Sequence, residues 1–367
     1  MCNIAGYVGE KRAAPILLEM LRRQQDFDGG VCTGLATVYN GRMYYRKIVG
    51  DVDTLIKTTD ALNLPGNIGI AHTRPGGTAE TYSHAHPFIS YDETMAAVTN
   101  GTSRGTSPAA RVQAIMDMLD NSGCKFRDEA FVENANPDIC LKNGATVSGA
   151  AVRMELIKYY REKEGMPLCA AMARADSEIY KDGVIEILDL KAPDRLYVLR
   201  TTRPAITLKA DDGTYVATTR FAFPDDVDGE IKQLPVMYPC EIFKDKIDVT
   251  NYKMDCEEIS EITDYTLSVG YKRIEKLLLG KKEAPLHFDD LELAVWNDMR
   301  DLFPGNHMLI QDARLVYDVL WKLKEEGRLK MRRALFAKGK GIIDGEYAND
   351  ARFIPGVKFR NFMWIDA

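Results

Sequence analysis

The stretch Thr33–Tyr39, the dipeptide Asn40-Gly41 and the stretch Met43–Ile48 constrain this chain most. Two runs of strand-forming residues joined by Asn-Gly predict a two-residue hairpin, because Asn and Gly tolerate the positive φ that such a turn demands. A hairpin makes antiparallel neighbours. Short runs of the same texture recur at Ile4–Val8, Asn67–His72, Met95–Thr99, Val184–Leu188, Arg195–Leu199, Ala205–Leu208 and Tyr215–Thr218. Helical spacing interrupts them in blocks, at Ala13–Gln24, Ala109–Leu119 and Ala151–Lys163. Strands in hairpin groups with helices in blocks predict an α+β fold with antiparallel sheets rather than strict βαβ alternation.

From about Asp255 the texture changes. Tyr265–Leu279, Leu291–Leu302 and Ala313–Glu326 read as helices, the last with Leu315, Val316, Val319, Leu320 and Leu323 on one face and Gly327 as a stop. A hairpin follows, Arg328–Phe336 returning through Lys338-Gly339-Lys340-Gly341 into Ile342-Ile343. Two domains are predicted, residues 1–255 and a small, mostly helical, winged-helix-like unit at 256–367. Between Lys322 and Lys340 eight basic residues stand against two acidic ones, a pattern that can reach phosphates. The net charge of −6 favours the duller reading, a solvated helix and a docking surface for a partner, and argues against nucleic acid.

Seven cysteines, odd in number and without a C-x-x-C pair, predict neither a disulfide framework nor a zinc ribbon, and a reducing cytoplasm fits them best. No apolar run approaches the ~20 residues needed to cross a bilayer, and residues 1–10 lack the pattern of a signal peptide, so no membrane association is expected. His84-x-His86 begins a metal pattern, but no third ligand has convincing spacing. No phosphate-binding glycine loop or dinucleotide fingerprint occurs. Neither a metal nor a cofactor is expected.

The chemistry begins at Met1-Cys2. If Met1 is trimmed, Cys2 carries a thiol and a free α-amine, whose ordinary pKa values of about 8.5 and about 7.7–8.0 lie close to neutral pH. Such a residue is a nucleophile with its own base. A cysteine that attacks an amide also needs donors for the oxyanion and groups that hold the substrate. Asn100-Gly101, ending a strand in VTNG, can present a side-chain NH₂ and an unhindered backbone N–H together. Arg74, ending the GIAHTR strand, can clamp a carboxylate with its fork, and Gly76-Gly77 behind it can form a mobile lid.

In combination and order these segments carry a resemblance. MCNIAGYVG resembles the M-C-G-I-x-G opening of class II glutamine amidotransferases, GIAHTR resembles their G-x-x-H-T-R strand, HAHPF their N-A-H-P segment and VTNG their H-N-G turn. APDRLYVLRTTRPAITL is similar to their P-D-R strand and the strand after it, so the resemblance covers about residues 1–255. It is similar in particular to the glutaminase domain of glucosamine-6-phosphate synthase, without the isomerase domains. The resemblance implies a four-layer αββα sandwich, two antiparallel sheets between helices, of the N-terminal-nucleophile hydrolase type. It also implies roles. Cys2 would attack the side-chain amide of glutamine, Asn100 and Gly101 would hold the oxyanion, Arg74 and Thr73 would bind substrate, and His86 would line the pocket. Ammonia would leave and a glutamyl thioester would be hydrolysed.

The match departs from the family where the substrate ammonium is recognised. The family's aspartate opens a helix in a D-[ST]-E motif; Asp176-Ser177-Glu178 imitates it but lies too close to the next strand. Counting helices back from Gly183-Val184 puts Ser148 in that place, and Asp128 or Asp138 are the alternative acids. Pro75 also follows the arginine, where the family has an aromatic residue. The expected substrate is therefore glutamine or a glutamine derivative with a blocked amine. An acceptor-domain protein partner fits the missing acceptor domains, and a homodimer is compatible with the chain. The rival reading is a catalytically altered regulatory or binding module on the same fold, its tail contacting a partner or nucleic acid.

Overall fold

The structure is a computed structural model that describes residues 2–75, 82–101, 109–129, 140–179, 182–256, 258–304, 309–337, 341–343 and 357–367. Gly76-Gly77, Asp138 and Lys338-Gly339-Lys340 lie outside the described residues.

The Asn40-Gly41 hairpin forms as expected. Both turn residues have positive φ, 48° and 69°, and Tyr39 pairs with Arg42, so β2 (Cys32–Tyr39) and β3 (Arg42–Val49) are antiparallel neighbours. They join β1 (Asn3–Gly9), β4 (Ile68–Arg74), β9 (Ile206–Ala210), β10 (Gly213–Ala217) and β11 (Glu230–Gln233) in a seven-stranded sheet of order β11-β9-β10-β1-β4-β2-β3. A six-stranded sheet has the order β13-β12-β8-β7-β6-β5, from β5 (Phe88–Ile89), β6 (Met95–Asn100), β7 (Val184–Asp189), β8 (Leu196–Arg200), β12 (Cys240–Ile242) and β13 (Ile247–Val249). Each named pairing in both sheets is antiparallel.

The sheets face each other, and helices cover both outer faces. Ile4, Val8, Ile68 and Ile70 of the first sheet share one core with Ala96, Val98, Val184 and Val198 of the second. α1 (Ala13–Asp28) and α2 (Val52–Thr58) cover the first sheet through Leu17, Leu21 and Leu55. α3 (Ala109–Asn121), α4 (Gly149–Glu162) and α5 (Leu168–Glu178) cover the second through Met116, Leu156 and Met172. The result is the four-layer αββα sandwich. Strands buried on both faces read as nearly unbroken apolar runs, which explains Met95-Ala96-Ala97-Val98: Ala96 and Val98 face the other sheet while Met95 and Ala97 face the helices. Caps define helix starts, with Asp51 accepting from the Thr54 N–H at 2.8 Å before α2 and Ser148 from the Ala150 N–H at 3.3 Å before α4.

Beyond residue 255 come α6 (Asp264–Leu278), α7 (Phe288–Asp298), α8 (Asp312–Glu325), β14 (Lys330–Ala337), β15 (Gly341–Ile343) and β16 (Val357–Trp364). The helix expected over Leu291–Leu302 is split. Met299 leaves helical geometry at φ −129°, and the following single turn, Arg300–Leu302, brings Leu302 and Phe303 into the core. β14 pairs with both β15 and β16, and Leu286 and Leu279, which flank the α6–α7 connection, bridge to Met363 and Ile365 of the terminal segment. The eight-residue β16 was absent from the sequence reading because VKFRNFMW alternates for only half its length.

This C-terminal unit shares its core with the sandwich. Phe27 of α1 and Phe221 join Leu315, Val316, Val319, Leu320 and Leu323 of α8. Each of those aliphatic side chains, fully withdrawn from water, contributes about 1.5–3 kcal/mol relative to exposure.

Candidate active site

The site lies where one end of each sheet meets the other. In the first sheet Asn3 pairs with Thr73 and Cys32 pairs with Arg74, which sets Arg74 beside Cys2 in the row that ends the strands. From the second sheet β6 ends at Asn100, whose Oδ1 accepts a hydrogen bond from the Cys2 backbone N–H at 3.0 Å. The structure thus joins Cys2, Asn100 and Arg74, drawn from three strands.

That contact decides which way the Asn100 amide faces. With Oδ1 committed to Cys2, Nδ2 is buried and has no hydrogen-bond partner among the described residues. A buried donor left unpaired costs about 1–3 kcal/mol, so its retention points to a ligand group that completes it. Gly101 follows at φ +141°, and a Cβ there would lie 2.5 Å from the Gly183 Cα and 2.6 Å from the Asp182 carbonyl oxygen. Only glycine fits this turn.

Burial pushes the Cys2 thiol pKa up, and the nearby positive charges of Arg74, Lys358 and Arg203 pull against it. A thiol in this setting stays protonated until a base takes its proton. Arg74 donates from Nη1 to the His84 carbonyl at 3.1 Å and from Nε to the Pro75 carbonyl at 3.4 Å, which ties the strand end to the segment that follows. The Thr73 hydroxyl accepts from the Gly30 N–H at 2.8 Å and lies 3.1 Å from the Thr33 hydroxyl. Its side chain anchors the turn after α1.

His86 is buried against the same corner. Its Nε2 lies 3.1 Å from the Thr99 hydroxyl, one residue before Asn100, and its ring lies tilted by 33° over His72 with centroids 3.8 Å apart. Burial, with Arg74 close by, holds the His72 pKa down to about 3, and burial beside His72 and Arg74 keeps His86 well below the usual imidazole range. Both rings are neutral at pH 7; the Thr99 backbone faces the His72 ring, and His86 Nδ1 has no hydrogen-bond partner among the described residues.

Ser148 caps α4 with its hydroxyl on the Ala150 N–H. Asp176 sits inside α5, fully buried and paired with Arg153 of α4, so it belongs to the helical layer. Asp128, an alternative acid, is bound by the buried Lys47 at 2.8 Å, whose ammonium also lies 4.9 Å from the Tyr82 ring centre. That pairing neutralises the charge for which it was considered. Among the described residues no three His, Cys, Asp or Glu side chains converge as a metal would require, and no described helix is long and apolar enough to cross a membrane.

Sequence reasoning missed the residues on the far side of Cys2. Asn3, fully buried, donates from Nδ2 to the carbonyls of Gln24 at 3.2 Å and Asp28 at 2.9 Å, and the Tyr317 hydroxyl of α8 donates to its Oδ1 at 3.3 Å. Lys358 and Arg360 of β16 bind the Asp28 carboxylate at 3.0 and 3.1 Å. Arg203 is enclosed by Asp182, Glu292 and Asp312, and burial pushes Asp312 up to about 7. The only signal was Asn3 itself, a polar residue where the family's opening has glycine.

No family model matches the chain. Among curated proteins it is 30% identical over 249 residues to a glutamine–fructose-6-phosphate aminotransferase of Pyrococcus horikoshii, covering 63% of this chain and 39% of the relative. It is 27% identical over 219 residues to the protein of the same name from Clostridium acetobutylicum, covering 59% of this chain and 31% of the relative. The chain therefore matches well under half the length of these relatives. A solved structure, the glutamine phosphoribosylpyrophosphate amidotransferase from B. subtilis complexed with ADP and GMP, superposes with a TM-score of 0.57 at 15% identity, over 98% of this chain and 71% of that one. That likeness is one of fold.

Proposed function

From a chain that carries a class II glutamine amidotransferase-like domain, we infer an N-terminal-cysteine amidohydrolase that releases ammonia from the side-chain amide of glutamine or a glutamine derivative. The observation that carries this reading is the Cys2 N–H bound to Asn100 Oδ1 at 3.0 Å, with Asn100 Nδ2 buried behind it and unpaired among the described residues. Once Met1 is removed, that nitrogen becomes the α-amine, held by Asn100 on the same residue as the thiol.

The amine takes the thiol proton as sulfur attacks the amide carbon. The developing oxyanion completes Asn100 Nδ2 and meets the Gly101 N–H, two fixed donors in a water-poor corner where such bonds act most strongly. The amine returns the proton to the leaving nitrogen, the C–N bond breaks, and ammonia departs from a thioester on Cys2. Water, activated by the same amine, attacks the thioester; the C–S bond breaks, the carboxylate leaves and the thiol is restored. Arg74 clamps the substrate carboxylate, with Thr73 and His86 shaping its surroundings and Ser148 standing at the ammonium end. A serine there gives up the charge-assisted part of an ammonium contact, which favours a substrate whose amine is blocked.

The relatives' printed names pair glutamine with fructose 6-phosphate. This chain matches less than two fifths of them, and in this reading the ammonia goes to water or to an acceptor-bearing partner protein. In this reading the unit at 256–367, winged-helix-like in its order of helices and strands, serves to dock on the sandwich at 1–255, which the burial of Tyr317 of α8 against Phe27 supports. The test is a glutamine-mimicking diazo-ketone. The expected result is one covalent adduct on Cys2, none on Cys2→Ala, and glutamate release from glutamine abolished in the same variant; labelling at another cysteine, or equal labelling of both proteins, overturns the reading.

A further inference from the structure

A nucleophile on the second residue of a chain has a mechanical difficulty, because chain ends fray unless something holds them. Here the ladder holds only one side. β4 pairs with β1 from Asn3 onward, but β10 on the other side pairs only from Ala5, and the Ile4 N–H turns instead to the Thr218 hydroxyl at 2.9 Å. The three side-chain bonds of Asn3 fill the gap. Two go to α1 carbonyls and the third comes from Tyr317, more than three hundred residues away in sequence.

Tyr317 is itself fixed. Its ring stacks on Phe288 at 4.3 Å and meets Phe27 edge-on at 5.7 Å, so the hydroxyl has one place to point. The same unit grips the far end of the arrangement, where Lys358 and Arg360 hold the Asp28 carboxylate and Arg360 also donates to the Phe27 carbonyl at 3.2 Å. Asp28 in turn offers its carbonyl to Asn3. Two routes therefore run from the C-terminal unit to the residue bonded to Cys2.

We propose that Tyr317 is a positioning residue for Cys2, acting through Asn3, and that the C-terminal unit thereby completes the catalytic site of the sandwich. The proposal rests on the reading of Cys2 as the nucleophile. It goes further in making residues beyond 255 necessary to the chemistry: without the phenol, Asn3 Oδ1 loses its partner and the start of β1 loses a restraint where small displacements are costly in rate. The Lys358–Asp28 contact gives the second restraint, on the turn that carries the other half of the Asn3 bonds.

Tyr317→Phe keeps both ring contacts and deletes the hydroxyl alone. The full-length variant is compared with wild type in the rate and pH profile of Cys2 alkylation by the diazo-ketone, in kcat and KM for glutamate release, and in melting temperature. The expected result is a fall in kcat of about tenfold with KM within about twofold, a displaced pH midpoint of alkylation, and a melting transition still cooperative and well above the assay temperature. Lys358→Met, which leaves Arg360 on Asp28, should give a smaller fall of the same kind. If wild type is labelled on Cys2 and Tyr317→Phe matches it in rate, midpoint and kcat, the positioning role is overturned while the nucleophile stands. If wild type takes no label on Cys2, both fall together.

Discussion

The backbone N–H of Cys2 and Oδ1 of Asn100 meet at 3.0 Å, which ties the start of the central strand of one sheet to the last residue of a strand in the other. The same bond orients Nδ2 as a donor unpaired among the described residues. Replacing Asn100 by Ala removes both functions. The expected loss is about 10²–10³-fold in kcat with KM changed only a few-fold, since in the proposed reaction the donor acts on charge that exists only in the transition state. Asn100→Asp, which keeps an acceptor for Cys2 but sets a negative oxygen where the NH₂ stood, should be at least as impaired. Steady-state glutamate release settles both, and an Asn100→Ala enzyme with an unchanged kcat would remove Asn100 from the oxyanion site.

Gly101 is expected to reject even the smallest side chain. A Cβ would lie 2.5 Å from the Gly183 Cα, backbone that cannot swing aside, and φ +141° is already unfavourable for an L-residue. Gly101→Ala should lower the melting temperature by several degrees and bring the proposed glutaminase activity close to background, because relief of the clash must move Gly101 away from β7. Full activity in this variant would show that its N–H is not an oxyanion donor.

Much of this was legible in the residues. Asn40-Gly41 specified a hairpin because its chemistry is local, and the doubly buried β6 and β7 announced themselves as apolar runs. Cys2 stood out for its place behind Met1, and Arg74 and Asn100 for ending recognisable strands; strand ends on one edge of two facing sheets converge, which is why the three lie together. Short edge strands such as β11, half exposed, carried too little pattern to see. Tyr317 was invisible for a different reason: on an amphipathic helix it reads as core, and nothing in the sequence says that its hydroxyl points at residue 3. Asp128 shows the converse failure, a carboxylate with plausible position whose charge is spent on Lys47.

The buried ring pair His72–His86 predicts acid sensitivity. His72 has a folded pKa of about 3 and His86 one well below its ordinary value, so in the unfolded chain both take up protons near pH 6.5 while the folded protein does not. Stability is therefore full above about pH 6.5 and falls as pH drops from there towards 3, each ring steepening the fall by about 1.4 kcal/mol per pH unit. Urea unfolding at pH 7, 6 and 5 should show this slope, and His72→Gln should show a shallower one. Parallel pH dependence in the two proteins would mean that His72 is protonated in the folded state.

Glu186 predicts the opposite trend. It lies on β7 between the sheets, where Gly6 of β1 leaves room for it, and neither carboxyl oxygen has a hydrogen-bond partner among the described residues. Burial raises its pKa well above 4.5, so the folded protein keeps the proton that the unfolded chain releases above that pH. Its contribution is present below about pH 4.5 and is lost as pH rises towards the folded value. Glu186→Gln cannot ionise in either state, and at pH 8 it should be more stable than wild type by about 1–3 kcal/mol, a gain that shrinks towards pH 5. Denaturant unfolding at both pH values tests it; a destabilised variant at pH 8 would point to an ionised, partnered carboxylate instead.

Ser148 offers a gain-of-function test of substrate choice. Its hydroxyl accepts from the Ala150 N–H at the start of α4, a place where aspartate caps equally well and where the helix end favours negative charge. Ser148→Asp should therefore fold as wild type does while placing a carboxylate at the position proposed to face the substrate ammonium. A charge-assisted contact to the substrate ammonium adds about 1–2 kcal/mol over a neutral one, so KM for free L-glutamine should fall by about tenfold with kcat little changed, while an N-acylated glutamine should gain nothing. The contrast between the two substrates matters more than either number, because a general improvement in folding would raise both together. An unchanged KM for glutamine would place ammonium recognition elsewhere in the pocket and remove the reason for expecting a blocked amine.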